Sequence, residues 1–157
     1  MMKYVKWIRE KVGHEAIFLN VACAIILNEK GEVLLQRRGD FKEESWSLPG
    51  GAMEIGESAE IAMKREVLEE TGLDVVTEKF LGVYTNNKLV SYPNDDQCQM
   101  ILFVFVCRPI GGGKIKVDGG ETLELRYVDP LRKPKLFREH QEVAFTDFLK
   151  GLSGVIK

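Results

Sequence analysis

The sequence is short of soft metal ligands, of one-signed charge and of long apolar runs. It has three cysteines, Cys23, Cys98 and Cys107, with no CxxC pair, and two histidines, His14 and His140, far apart in the chain. A Cys/His zinc site is therefore not expected. Cys23 and Cys107 sit inside apolar runs, which predicts buried, reduced thiols and no disulfide framework. The longest apolar runs, residues 21–27 and 100–107, fall far short of a bilayer span. Charges interrupt the opening MMKYVKWIRE every two or three residues, so no signal-peptide apolar region is expected. Together with the free thiols this predicts a cytoplasmic protein. The 22 basic and 24 acidic residues leave a net charge of −2, which argues against a general nucleic-acid binder.

What is present reads as one globular domain. The 157 residues are 45% apolar and 29% charged, enough to bury a single core. There is no internal repeat and no low-complexity linker. Tyr4, Val5, Ile8 and Val12 recur at helical spacing, which predicts an N-terminal helical extension over residues 1–13 that ends at Gly13. Residues 17–27 and 32–37 read as strands joined by a hairpin turn at Asn28-Glu29-Lys30-Gly31. Trp46-Ser47-Leu48-Pro49-Gly50-Gly51 reads as a loop. Residues 58–71 read as a helix with Ser58 as N-cap and Gly72 just past its end. Residues 75–84, 100–107 and 123–128 read as strands, the last as the final one. Residues 85–97 are polar and turn-rich. Gly111-Gly112-Gly113 and Gly119-Gly120 bracket a flexible excursion, and residues 138–152 form a C-terminal helix. Strands mixed with a few helices predict an α/β fold with helices covering a sheet.

The chemistry concentrates in residues 50–73, GGAMEIGESAEIAMKREVLEETGL. Glu66, Glu69 and Glu70 lie at i, i+3 and i+4, on one helical face. Like charges so placed cost a helix about 0.2–0.5 kcal/mol per pair. Either water solvates them or a cation joins them. A hard divalent cation fits the second case, since Mg²⁺ takes carboxylate and carbonyl oxygens and bridges them to phosphates. Gly50 and Gly51 just upstream allow close backbone approaches, and a loop entering a helix can offer amides to a phosphate.

Gly51, Glu57, the run Arg65-Glu66-Val67-Leu68-Glu69-Glu70-Thr71-Gly72-Leu73 and the spacing between them match every fixed position of the Nudix box. The chain resembles the Nudix hydrolase family, and the order of its strands around the box is similar to the Nudix fold, an α/β/α sandwich around a mixed β-sheet. The resemblance implies Mg²⁺- or Mn²⁺-dependent hydrolysis of a nucleoside diphosphate linked to another moiety. It places metal ligands at Glu66, Glu69, Glu70 and the Gly50 carbonyl, and structural roles at Gly51, Glu57, Arg65 and Gly72. Glu57 and Arg65 are expected to pair and fix the loop against the helix.

The general base is either Glu66 or a glutamate beyond the box. Glu121 and Glu124 are the two options there, and Glu124 is favoured because Glu-Leu-Arg-Tyr is similar to the family's stretch before its last core strand. Arg37 and Arg38 either contact substrate phosphates or end a strand in solvent. Trp46 either packs or lines the nucleotide pocket, and Tyr84, Tyr92 and Phe41 are weighed as base-stacking or structural residues. Trp7 and Ile8 either cover the core or join a homodimer interface of the kind common among relatives.

The box leaves the substrate open. The SQPWPFP motif of Nudix NADH pyrophosphatases is absent, and the coenzyme A signature is not evident. Tyr92-Pro93 lies somewhat beyond the place of comparable markers in ADP-ribose and dinucleoside-polyphosphate enzymes. The segment Tyr92-Pro93-Asn94-Asp95-Asp96-Gln97 before a long apolar strand resembles small bacterial ADP-ribose pyrophosphatases. ADP-ribose or a nucleotide sugar is the first expectation. A nucleoside triphosphate, oxidised ones included, is the second, and a non-catalytic nucleotide-binding module is the third.

Overall fold

The computed structural model describes residues 3–39, 44–117 and 120–157. In chain order they form α1 (Tyr4–Val12), β1 (Ile17–Ile26), β2 (Val33–Arg38), β3 (Ser45–Ser47), β4 (Gly50–Ala52), α2 (Ala59–Thr71), β5 (Val75–Thr85), β6 (Val90–Ser91), β7 (Gln97–Pro109), β8 (Thr122–Val128), α3 (Glu139–Leu149) and β9 (Val155–Ile156).

The apolar run of β1 pairs in parallel with that of β7, from Ile17↔Cys98 to Ile26↔Cys107. Around this pair a mixed six-stranded sheet runs β4-β1-β7-β5-β9, with β6 added to β7. A second, antiparallel sheet runs β3-β2-β8. Both faces of β1 are apolar, as expected for a strand covered on both sides. Ala22, Ala24 and Ile26 pack with Ala62, Met63 and Val67 of α2. Cys23 and Ile25 pack on the opposite face with Leu81, Tyr84, Val104, Ala144 and Phe145, the last two on α3. The helices therefore sandwich a mixed sheet. A third, smaller cluster of Leu19, Cys98 and Met100 extends the α3 face towards α1, whose Val5 packs on it.

The local signals for α2 act as read. Ser58 Oγ accepts from the Ile61 amide at 3.3 Å, and Gly72 takes a left-handed φ of 74° with its amide on the Leu68 carbonyl. The three cysteines are buried and unpaired.

Several expectations are corrected. The turn at Asn28–Gly31 forms, with the Gly31 amide on the Asn28 carbonyl, but only the bridge Leu27↔Val33 follows it. Its two strands then diverge into different sheets, so it joins sheets and closes no hairpin. The loop at residues 46–51 contains two short strands, because β3 finds a partner in β2 and β4 in β1. Strand β7 starts at Gln97, and β6 pairs with it inside the polar stretch. The helix α3 stops at Leu149, and β8 is not the last strand, since β9 pairs with β5. Gly119 and Phe41 lie outside the described residues.

The chain end is pinned by a buried carboxylate. Asp147 accepts from Lys157 Nζ at 2.8 Å and from the Tyr84 hydroxyl at 3.1 Å. Replacing Asp147 with Ala strands a buried hydroxyl and removes the side-chain anchor of Lys157, leaving β9 with its backbone pairing to β5. The expected loss is about 1–3 kcal/mol in urea unfolding, with Asp147→Asn losing less because its amide oxygen still accepts.

Candidate functional site

The helix α2 lies on one face of the six-stranded sheet, and a cleft of about 1160 Å³ opens on the other. Leu19, Val21 and Cys23 of β1 form its floor. Glu66, Glu69 and Glu70 of α2 also line it, so their carboxylates reach around the edge strand β4.

Glycine makes that passage available. A Cβ on Gly51 would stand 2.5 Å from Glu66 Cδ. A Cβ on Gly50 would stand 2.3 Å from the Ala22 carbonyl oxygen and 2.6 Å from Cys23 Cα, at a φ of 148° that disfavours side chains. The Gly50 amide donates to Glu70 Oε2 at 2.9 Å. The paired glycines thus let strand and helix carboxylates touch.

Arg65 organises the other side. Its Nε donates to Glu57 Oε1 at 2.6 Å and Nη2 to Glu57 Oε2 at 2.9 Å, a two-point grip that fixes orientation. Nη1 donates to Glu66 Oε1 at 2.6 Å, and Nη2 also reaches the Ala52 carbonyl at 3.1 Å. The Glu57 carboxyl is held below its usual range, chiefly by its hydrogen bonds from Arg65. These contacts tie the loop, β4 and α2 into one unit.

Two of the acidic groups facing the cleft, Glu66 and Glu70, are costly to ionise. Desolvation pushes Glu70 up to about 8, with the nearby Glu66 adding to the shift. Glu66 is also raised, first by desolvation, and Glu69 and Glu121 add to it. Glu69 is the open member, with 60% of its side chain exposed, and stands 3.6 Å from Arg65 Nη1. Among the described residues no three His, Cys, Asp or Glu side chains converge into a ready-made metal cage. Partly buried oxygen donors still suit a hard cation, which commonly takes only one or two carboxylates and fills the rest of its shell with water and substrate phosphate.

The residues expected outside the box separate. Arg38 lines the cleft, with its Nη2 3.4 Å from Glu121 Oε2, and Glu121 lines it too. Arg37 and Glu124 do not line it. They pair with each other at 3.2 Å across β2 and β8, and Glu124 also takes Arg126 at 2.5 Å. Alternation along β2 turns Arg37 and Arg38 to opposite faces. The register also shifts between them: Arg37 faces Glu124, but Arg38 faces Thr122, which leaves Leu123 as an extra residue. Trp46 is buried in the α3-side core, with Arg126 4.9 Å from its ring centre and its Nε1 on Glu44. Tyr84 is buried against Asp147. Tyr92 does reach the cleft, with the Arg138 guanidinium 5.6 Å from its ring centre.

Sequence reading missed further lining residues: Lys3 just ahead of α1, Lys6 and Arg9 on it, Glu54, and Ser47 with Gln141 and His140. The basic face of α1 was the one available signal. Gln141 Oε1 accepts from the Leu48 amide at 3.0 Å, while Ser47 Oγ is buried with no partner.

His140 titrates far from its ordinary value. Burial first, and the Arg138 charge second, lower it from 6.5 to about 4. An unfolded chain takes up this proton near pH 6.5, and the folded one only near 4. The unfolded state therefore binds more protons within that window, and stability falls as pH drops through it. Chemical unfolding of His140→Gln between pH 4 and 7 is expected to show a shallower loss than the parent.

Comparison with known proteins matches this geometry. A family model described as NUDIX domain matches residues 18–147. A putative 8-oxo-dGTP diphosphatase of Bacillus subtilis (strain 168) is 37% identical over 134 residues, covering 85% of this chain and 82% of that protein. An ADP-ribose pyrophosphatase of Methanocaldococcus jannaschii is 32% identical over 141 residues, covering 88% of this chain and 79% of that protein. The crystal structure of a MutT protein from Methanosarcina mazei Go1 superposes with a TM-score of 0.65 at 27% identity, covering 87% of this chain and 96% of that one. With a NUDIX model spanning most of its length and relatives of this similarity, the chain belongs to the Nudix family of hydrolases.

Proposed function

We propose that the protein hydrolyses the phosphoanhydride of a nucleoside diphosphate joined to a second group, ADP-ribose or a nucleotide sugar first. The observation that carries this reading is the passage of Glu66 and Glu70 past Gly50 and Gly51 into one cleft with Glu69, Arg38 and Glu121. The relative named as an ADP-ribose pyrophosphatase supports the substrate class.

Glu66, Glu69 and Glu70, with the Gly50 carbonyl, are the ligands proposed for Mg²⁺, or Mn²⁺ in its place. A divalent ion supplies charge neutralisation at the pyrophosphate and lowers the pKa of bound water. Arg65 holds Glu66 in place, and the Gly50 amide holds Glu70. Arg38 offers a cation to a phosphate oxygen beside Glu121. The proton of the attacking water goes to Glu66 or Glu121. Glu124 drops out of this role because Arg37 and Arg126 hold it away from the cleft. A cytoplasmic location suits the three unpaired thiols.

A second reading is nucleoside triphosphate hydrolysis, favoured by the relative named as a putative 8-oxo-dGTP diphosphatase. Product analysis separates the two. With Mg²⁺, the first yields two monophosphates, such as AMP and ribose phosphate, and the second yields a nucleoside monophosphate and pyrophosphate. Glu69→Gln is expected to lower kcat by at least tenfold, and Gly51→Ala to do the same by displacing Glu66. Unchanged turnover in Glu69→Gln removes that residue from the mechanism. A full panel without metal-dependent product leaves a binding module as the better description.

A further inference from the structure

The cleft is longer than the cluster of box glutamates. Its floor follows β1 from Cys23, beside Gly50, to Ile17, six residues and about 20 Å away. The far half is walled by α1, which belongs to the residues ahead of the matched domain. No residue of this helix is fully buried. Val5 packs on the third cluster, and polar pins hold the two ends of the helix.

At its start, the Tyr4 amide donates to Glu54 Oε2 at 2.7 Å. At its end, Arg9 donates to the carbonyls of Gln97, Gly13 and Glu15 at 2.7–3.1 Å, with Asp96 3.5 Å from its Nε. The first pin leads directly to the box. The Glu54 amide donates to Glu57 Oε2 at 2.9 Å, Glu57 grips Arg65, and Arg65 holds Glu66. Helix α1 is therefore placed in register with the box end of the cleft by a chain of four residues, Glu54, Glu57, Arg65 and Glu66.

Two cations on this wall have no partner. Lys3 and Lys6 line the cleft one helical turn apart, and among the described residues neither makes an ion pair or a side-chain hydrogen bond. Other cations at the cleft are engaged: Arg9 with Asp96, Arg65 with Glu57 and Glu66, and Arg38 with Glu121. Glu10, one turn farther from the box, leaves Lys6 unpaired. At the helix start Glu54 takes the Tyr4 amide.

We propose that α1 is a specificity wall whose Lys3 and Lys6 bind a phosphate on the group beyond the scissile anhydride, with Glu54 as the positioning residue that registers the wall on the box. The substrate class is then a nucleoside diphosphate whose second moiety is itself phosphorylated. This rests on the hydrolytic reading for its biological meaning, but its test does not need turnover.

The test is equilibrium binding by calorimetry in metal-free buffer to the full chain. The probes are ADP-ribose and its terminal-ribose monophosphate, with UDP-glucose and UDP-glucuronate as a second pair. Repulsion between the box glutamates and the shared pyrophosphate is common to both members of a pair and cancels in their ratio, and any repulsion on the added anion works against the expected preference. The phosphorylated member is expected to bind about tenfold tighter, and K3E/K6E is expected to abolish that preference. A smaller preference for UDP-glucuronate is expected, since a carboxylate carries less charge. Glu54→Ala keeps the backbone amide that serves Glu57 and removes only the pin on α1. It is expected to weaken binding of the phosphorylated probe several-fold, with Glu54→Gln restoring much of the loss through its amide oxygen. Simple charge bookkeeping gives the opposite sign, since removing an anion from the cleft should help an anion bind. Equal affinity within the ADP-ribose pair, a preference that survives K3E/K6E, or tighter binding in Glu54→Ala overturns the proposal. Circular dichroism and thermal midpoints check that the variants are folded. Turnover of the same probes with Mg²⁺ tests the hydrolytic reading separately.

Discussion

The site depends on a close approach that side chains would forbid. Helix α2 packs beneath the sheet, yet its carboxylates line the cleft above it. They pass the edge strand β4 at two positions where even a methyl group would collide with Glu66 or with the backbone of β1. Burial of those carboxylates follows from this passage, and so does the rise in their proton affinity. Arg65 and the Gly50 amide then limit how far the carboxylates can relax. Each element of the box answers to that single constraint. The glycines clear the path, the loop brings Glu57, and Glu57 steers the arginine that holds Glu66.

The sheet supports this arrangement through division of labour. The pairing of β1 with β7 buries apolar residues on both faces and gives the cleft a firm floor. The second sheet, β3-β2-β8, carries the residues that meet the cleft from the opposite side, among them Ser47 and Arg38. The turn at residues 28–31 sends consecutive strands to different sheets, and the cleft is lined by the ends of those strands farther from the turn. Lining groups thus come from elements remote in sequence, while the box residues that reach the cleft come from one contiguous segment.

That contrast explains what could be read from sequence. Helix α2 was legible because its cap, its C-terminal glycine and its carboxylate spacing are local. Pairing of Glu57 with Arg65 was legible because the two are eight residues apart. Strands β3 and β4 were not legible: each has three residues, Pro49 lies between them, and they exist only through partners in β2 and β1. The α1 wall was not legible because its pins join residues 50 and 88 positions apart. The preference for Glu124 over Glu121 rested on the likeness of Glu-Leu-Arg-Tyr to a family stretch, and such a likeness carries no information on a bulge that sets which carboxylate stands beside the cleft. Trp46 and Tyr84 followed the ordinary fate of large aromatics, into the core.

The bulge in β8 also bears on how this protein compares with its kin. Beyond Leu123 the strand is out of phase with its own start, so Thr122 meets Gln36 while Glu124 turns to Arg37. Loss or gain of one residue there would shift every preceding side chain to the other side of the ribbon. An alignment that places a gap one position off would then assign a carboxylate to the wrong side of the sheet. Equivalence between relatives at this strand is a matter of spatial phase, and residue-by-residue matching across it inherits whatever register the chain has chosen.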